Sequence, residues 1–208
     1  MNIHSLLKMA KRNHKKELII NAAIQVFAEK GFYNAKVADV ARRAGVADGT
    51  IYLYFKNKDD ILISLFEVKM EEILERFKSI LETEESAADK IRHFIQLQFR
   101  LLEEDQNLAE VFQVELRQSS KFLKDYHNQK FIDYLNIIGT ILNQGQKSGV
   151  FHSDFRINTL KLAIFGAMDE IARQWILHEE PKFNLQESAV EVAEMILNGL
   201  VPTRENSL

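Results

Sequence analysis

Apolar residues recur with helical spacing along almost the whole chain, and over residues 37–62 the pattern resolves into two short helices with a tight joint. Val37, Val40, Ala41 and Ala44 fall at i, i+3, i+4 and i+7, one face of a helix. Gly45 follows, where a left-handed backbone needs no Cβ. Asp48 reads as the N-cap of a second helix over 49–55, about two turns long. That helix buries Ile51 and Phe55 and turns Thr50, Tyr52 and Tyr54 outward. Two short helices joined in this way form a helix-turn-helix, whose second helix enters the major groove of DNA.

The same periodicity predicts a preceding helix over 15–30 that buries Leu18, Ile19, Ala22, Ala23, Val26 and Phe27 and ends at Gly31. Phe32 and Tyr33 pin its connection to the next helix. Residues 1–14, with Lys8, Lys11 and Arg12, read as a frayed tail or a basic arm on DNA. Phe27, Val40, Ile51 and Phe55 close a core of roughly 45 residues, marginal in isolation. A fourth helix opens at Asn57 and Lys58, with Asp59 and Asp60 in its first turn as the helix dipole favours. Ile61, Leu62, Leu65, Phe66, Ile73, Leu74 and Phe77 carry it to Leu81, a length on the order of 35 Å that links it to a second domain.

After a polar break at 83–86, further helices are expected at 87–104, 106–118, 121–148, 155–178 and 185–200. Gly149 closes one of them and Pro181 separates the last two. No alternating strand pattern intervenes. The expected fold is all-α with about nine helices: a helix-turn-helix DNA-binding domain over 1–58, then a helical ligand-binding and dimerisation domain over 59–208. Leu160, Ala163, Ile164, Ala167, Met168, Ile171 and Trp175 offer an apolar face for pairing the last two helices with their copies, partly shared with the monomer core.

Charge sharpens this division. Up to Lys58 there are 11 Lys and Arg against 4 Asp and Glu, and beyond it 16 against 26, so a front of +7 and a body of −10 make up the net −3. A basic front on an acidic body suits a polyanion-binding domain joined to something else. The absence of cysteine excludes disulfides and thiolate metal sites and suits a reducing compartment. No signal-peptide pattern and no run of about 18 apolar residues is present, so a cytoplasmic location is expected. The six histidines lack metal-ligand spacing, and no phosphate loop or nucleophile motif occurs, so neither an enzyme nor a bound cofactor is expected.

The stretch AGVADGTIYLYFKNKDDIL resembles the DNA-binding signature of the TetR family of repressors, and the likeness extends upstream through Phe27, Gly31 and Phe32 over about 45 residues. The resemblance implies a homodimer that reads a palindromic operator and releases it on binding a small ligand. The DNA-contacting set is then Lys36, Val37, Ala47, Asp48, Gly49, Thr50, Tyr52, Tyr54, Lys56 and Lys58. Two positions depart from the common pattern: Lys36 stands where many relatives have Thr, and Ala47 where many have Ser. Capping is then expected from Asn34 or the backbone of Ala35, and from Asp48, with Lys36 reaching phosphate through charge. Arg42 and Arg43 fall on a solvated face.

Further on, VELRQS over 114–119, FGAMDE over 165–170 and Trp175 look like the branch of this family that represses fatty-acid degradation in bacilli. That resemblance implies a long-chain acyl-CoA as effector. Phe94, Leu97, Leu101, Leu108, Phe112, Tyr134, Ile138, Phe165, Met168 and Trp175 are apolar positions that read as core or as the wall of an acyl tunnel. Glu115 lies on an apolar helical face and needs a partner, with Arg117, Asp169 and Arg173 as candidates. Phosphates on an acidic domain need a local cationic cluster, and Arg117, Lys121, Lys124 and Lys130 are nearest in sequence. The rivals are a relative sensing another hydrophobic compound and a helical enzyme or lipid carrier; the latter predicts no salt-dependent DNA binding.

Overall fold

The computed structural model describes residues 3–178 and 183–202, which contain helices and connecting turns and no strand. Ten α-helices follow one another: α1 (Ile3–Lys30), α2 (Val37–Arg43), α3 (Asp48–Ile51), α4 (Lys58–Leu81), α5 (Ala87–Glu104), α6 (Gln106–Gln113), α7 (Ser120–Lys124), α8 (Gln129–Lys147), α9 (Ile157–Leu177) and α10 (Leu185–Leu200), with a 3-10 turn at Glu115–Gln118 between α6 and α7. Pro181 and the side chain of Lys8 lie outside the described residues.

The all-α expectation holds, with differences at the element ends. α1 begins at Ile3, not at residue 15. No Gly or Pro interrupts residues 1–30, so the helix continues by backbone propensity where burial does not reward it. Leu6 is nearly half exposed on that extension, and Leu18, expected inside, is exposed to a similar degree. α3 is a single turn that stops at Ile51, with Tyr52 as its C-cap. The run TIYLYF is β-branched and aromatic, a poor helix former, and the chain leaves it through turns: Leu53 N–H donates to Thr50 O at 3.2 Å and Tyr54 N–H to Ile51 O at 2.9 Å. The helices expected at 106–118 and 121–148 are each broken. The first gives way at Val114 to the 3-10 turn without a side-chain cap; the second breaks at 125–128, where Asn128 caps α8 by accepting Phe131 N–H, and Ser119 caps α7 between the two by accepting Phe122 N–H.

The chain divides into two compact units, Met1–Lys69 with Asn107–His127, and Met70–Gln106 with Asn128–Leu208. This division does not follow a cut at residue 58. The start of α4 and the returning segment Asn107–His127 both belong with the helix-turn-helix, which enlarges a three-helix core that would be marginal alone.

In the first unit, α1 packs on α2 and α2 on α3. Phe27, Val40 and Ile51 are wholly buried and Phe55 nearly so, joined by Ile61, Leu62 and Leu65 from α4. Gly31 and Gly45 hold φ of 75° and 66°, the left-handed geometry that ends α1 and turns the chain from α2 to α3. Phe66 gathers an aromatic cluster, with ring centroids 5.3 Å from Phe112, 5.0 Å from Phe122 and 6.1 Å from Tyr126.

In the second unit, α5 packs against α8, α9 and α10, and α8 against α9. Phe77, Phe94, Phe99, Ile138, Ile141 and Met168 are at its centre. Arg92 of α5 holds Glu194 of α10 through Nε at 2.7 Å. Ile164 and Met168 turn into this core, while Leu162, Leu177, Val190 and Met195 of α9 and α10 stay exposed. No helix among the described residues is long and apolar enough to cross a membrane.

Candidate functional site

Most of the helix-turn-helix positions expected to contact DNA lie at the surface. Lys36, Ala47, Asp48, Gly49, Tyr52 and Lys56 are exposed, and Val37, Thr50 and Tyr54 are half-buried. The face is held by caps that differ from the expected ones. Lys36 is the N-cap residue of α2 and makes no side-chain cap bond, since an ammonium cannot accept. Asp39 serves instead: its carboxylate accepts Lys36 N–H at 3.1 Å and pairs with Lys30 Nζ at 2.8 Å. Those two contacts, the Lys30 ammonium first, hold the Asp39 carboxyl below its ordinary range. Asn34 donates to Lys30 O at 3.2 Å and so closes α1 rather than opening α2. Asp48 is the first residue of α3, not its cap; Ala47 occupies that position without a side-chain bond.

Arg43 is engaged with Glu29 and Gln25 of α1, while Arg42 is largely exposed beside Asp39. The start of α4 is closed by two linked hydrogen bonds. Asn57 Oδ1 accepts Asp60 N–H at 2.9 Å, and Asp60 Oδ2 accepts Lys56 N–H at 2.8 Å. Lys56 is therefore fixed by its backbone, with its ammonium left in solvent.

Lys58 behaves differently from Lys56. Its ammonium turns inward and donates to the carbonyls of Phe32, Tyr33 and Ala35, the last two at 3.0 Å, and it lies 4.5 Å from the centroid of the Phe32 ring. An ammonium has three donors, and three carbonyls take them, which leaves none for a phosphate. Burial lowers the pKa of Lys58, with Asp59 opposing.

The same turn is held from a second direction. Glu115, buried at 4% exposure, accepts Phe32 N–H and takes a second bond from Gln118 Nε2 at 3.1 Å. Its carboxylate lies under Gly31, with both oxygens within 3.8 Å of where a Cβ would stand. The partner of this acid is thus a backbone N–H and a neighbouring amide; Arg173, offered as a candidate, pairs with Glu170 instead. Four residues beyond Glu115, Ser119 Oγ donates to Asp59 Oδ1 at 2.8 Å. The 115–119 segment therefore grips both the turn before α2 and the start of α4. Helical periodicity placed Glu115 on an apolar face and identified the need for a partner, but no local pattern pairs it with a turn 83 residues away.

The positions expected to bind the effector, apolar and charged, fall in both units. Phe94, Leu97, Leu101, Tyr134, Ile138, Phe165, Met168, Asp169, Arg173 and Trp175 belong to the second; Leu108, Phe112, Glu115, Arg117 and Lys121 belong to the first. Within the second unit, Phe77 and Phe94 lie 4.3 Å apart and Tyr134 joins both, with Phe165 against Phe131 and Tyr134. Tyr134 OH donates to Gln98 Oε1 at 2.9 Å. Burial first, then the charge of Asp169, pushes its phenol pKa upward. A surface cleft of about 290 Å³ on α4 and α5 is lined by Arg76, Ser79, Ile80, Thr83, His93, Leu97 and Arg100. Arg76 there is paired with Glu104, and His93 with Glu85. Of the cations proposed for phosphates, Lys130 pairs with Glu71, and Lys121 and Lys124 are exposed. Among the described residues no group of three or more His, Cys, Asp or Glu is placed to hold a metal.

Comparison with known proteins agrees with this geometry. Residues 19–65 match the family described as bacterial regulatory proteins, tetR family, and residues 66–199 match the C-terminal region of YsiA-like proteins. The chain is 40% identical over 192 residues to the fatty acid metabolism regulator protein of Bacillus subtilis (strain 168), covering 92% of this chain and 98% of that one. Among solved structures it is similar to the regulator FadR of Bacillus subtilis in complex with stearoyl-CoA, with a TM-score of 0.82 and 41% identity over 88% of this chain and 98% of the other. It is likewise similar to the fatty acid degradation regulator FadR of Bacillus halodurans, with a TM-score of 0.83 and 37% identity over 89% and 95%. Signature, fold and sequence likeness agree along both units, and the chain belongs to the tetR family of bacterial regulatory proteins, with a YsiA-like C-terminal region.

Proposed function

We propose that this chain is a cytoplasmic, homodimeric repressor of fatty-acid degradation genes that leaves its operator when a long-chain acyl-CoA binds. The observation that carries this reading is the likeness, along nearly the full length of both chains, to a regulator solved with stearoyl-CoA. The helix-turn-helix over 1–58 reads the DNA, and residues 59–208 bind the effector and dimerise. Lys36, Lys56 and the helix start at 47–49 take phosphates and base edges, because backbone N–H groups and ammonium both suit anions. The exposed Leu162, Leu177, Val190 and Met195 of α9 and α10 supply the face that two copies cover. A two-fold dimer reads a palindrome, with half-sites about 34–36 Å apart or a multiple of that. The apolar core around Phe94, Tyr134 and Phe165 takes the acyl chain, and the protein performs no catalysis.

The effector acts on DNA binding through the segment that grips the turn. Displacement of 115–119 frees Phe32 N–H and Asp59 together, which loosens the entry to α2 and the start of α4. A coupling free energy of about 1–3 kcal/mol, typical of such switches, weakens the operator roughly 5–150-fold. The test is an anisotropy titration on a palindromic operator with and without stearoyl-CoA at fixed salt. Unchanged affinity at saturating stearoyl-CoA removes the effector and leaves the repressor standing. Mass spectrometry of co-purified small molecules then identifies what replaces it.

A further inference from the structure

Leu53 is 73% exposed in the middle of the recognition segment, more exposed than Tyr52 beside it at 59%. Its outward direction is built in. Ile51 and Phe55 on either side are buried and fix the register of the segment. The N–H of Leu53 donates to Thr50 O and that of Tyr54 to Ile51 O, so the backbone between the anchors is tied down. An exposed leucine on an ordinary surface means little. This one lies beside the exposed Tyr52 in the turn that directly follows α3, the helix that a helix-turn-helix places against base edges.

A leucine side chain neither donates nor accepts a hydrogen bond. It gains nothing from a phosphate, and among the base edges of the major groove the apolar feature it can meet is the C5-methyl of thymine. We infer that Leu53 is a specificity-determining residue that reads a thymine methyl in each operator half-site. The inference rests on the DNA-binding role of this face and is independent of the effector. It adds a residue outside the DNA-contacting set named from the signature, and one that selects through removal of apolar surface from water, whereas the lysines, Thr50 and the tyrosines of that set act through charge or hydrogen bonds.

The test uses the full chain and duplexes recovered by in vitro selection from a random library. Each thymine is replaced in turn by deoxyuridine, which removes the methyl and keeps every hydrogen-bonding group. At one or two positions in each half-site the substitution is expected to weaken wild-type binding about fourfold, the weight of one buried methyl-sized group. In Leu53→Ala that penalty disappears at the same positions, while penalties for base-pair changes elsewhere in the site persist. Leu53→Met, which keeps an apolar side chain of similar volume, retains most of it. Titration at lower salt brings a weakened variant into range, because phosphate contacts strengthen. The inference is overturned if no thymine methyl matters to the wild type, if Leu53→Ala keeps the full penalty, or if it changes every position alike. Failure of the wild type to select any duplex would instead sink the DNA-binding role itself.

Discussion

Replacing Glu115 tests whether a buried carboxylate holds the helix-turn-helix together. In Glu115→Ala the Phe32 N–H loses its acceptor inside the protein. Leaving a buried donor unpaired costs about 1–3 kcal/mol. Removal of a buried carboxyl group near Glu110 offsets part of this, because burial first, and then Glu115, raises the Glu110 pKa. A net loss of about 2 kcal/mol follows, or roughly 4–8 °C in melting temperature for a chain of this size. Glu115→Gln keeps an amide oxygen within reach of Phe32 N–H and is expected to lose less than half as much. The turn leads into α2, so operator affinity falls with it, by about tenfold for each 1.4 kcal/mol of turn ordering lost. Urea denaturation followed by circular dichroism gives the stability, and anisotropy on the operator gives the affinity. A Glu115→Ala protein within about 0.5 kcal/mol of wild type, or a Gln variant as damaged as the Ala one, would refute the reasoning.

Three further outcomes are expected. Lys56→Ala lowers the slope of log affinity against log salt by about 1.8 for a dimer on its palindrome, the signature of one lost phosphate contact in each protomer, whereas Lys58→Met weakens binding and stability but leaves the slope unchanged because its ammonium faces carbonyls; salt titrations of both variants decide it. Gly145→Ala places a Cβ against the Phe151 ring with no room for it and is expected to cost about 1–3 kcal/mol in denaturant unfolding; an unchanged midpoint would show that Phe151 moves freely. Glu110→Gln is expected to raise stability at neutral pH: the folded-state pKa is raised, so the folded protein holds its proton longer and the wild type loses stability as pH rises from the ordinary carboxyl value through the raised one. Urea midpoints of wild type and Glu110→Gln should converge below about pH 4 and separate above it.

Much of the DNA-binding face was legible from local pattern. The i, i+3, i+4, i+7 spacing of Val37 to Ala44 and the left-handed Gly45 need only nearest neighbours to be read, and both stand in the structure. The extent of α3 was not legible, because apolar spacing marks Ile51 and Phe55 as buried whether the chain between them is helix or turn. Lys58 reads as a phosphate ligand because it stands at a helix start within the family's DNA-contacting signature; carbonyls 23 to 26 residues upstream claim it instead. Leu53 escaped notice for the opposite reason, since an apolar residue between two core anchors reads as core until its exposure is known.

By itself the sequence determined the all-helical class, the position of the helix-turn-helix, the basic front on an acidic body and, through its signature, the family. These follow from short-range regularities: periodicity, capping chemistry and a motif whose residues are contiguous. Only the tertiary structure decided which segments share a core, and so returned Asn107–His127 to the DNA-binding unit. Only it decided that Glu115 and Lys58 clasp the same turn from two directions. A buried polar side chain must find a partner, but its own sequence neighbourhood does not determine which distant backbone group folding brings to it.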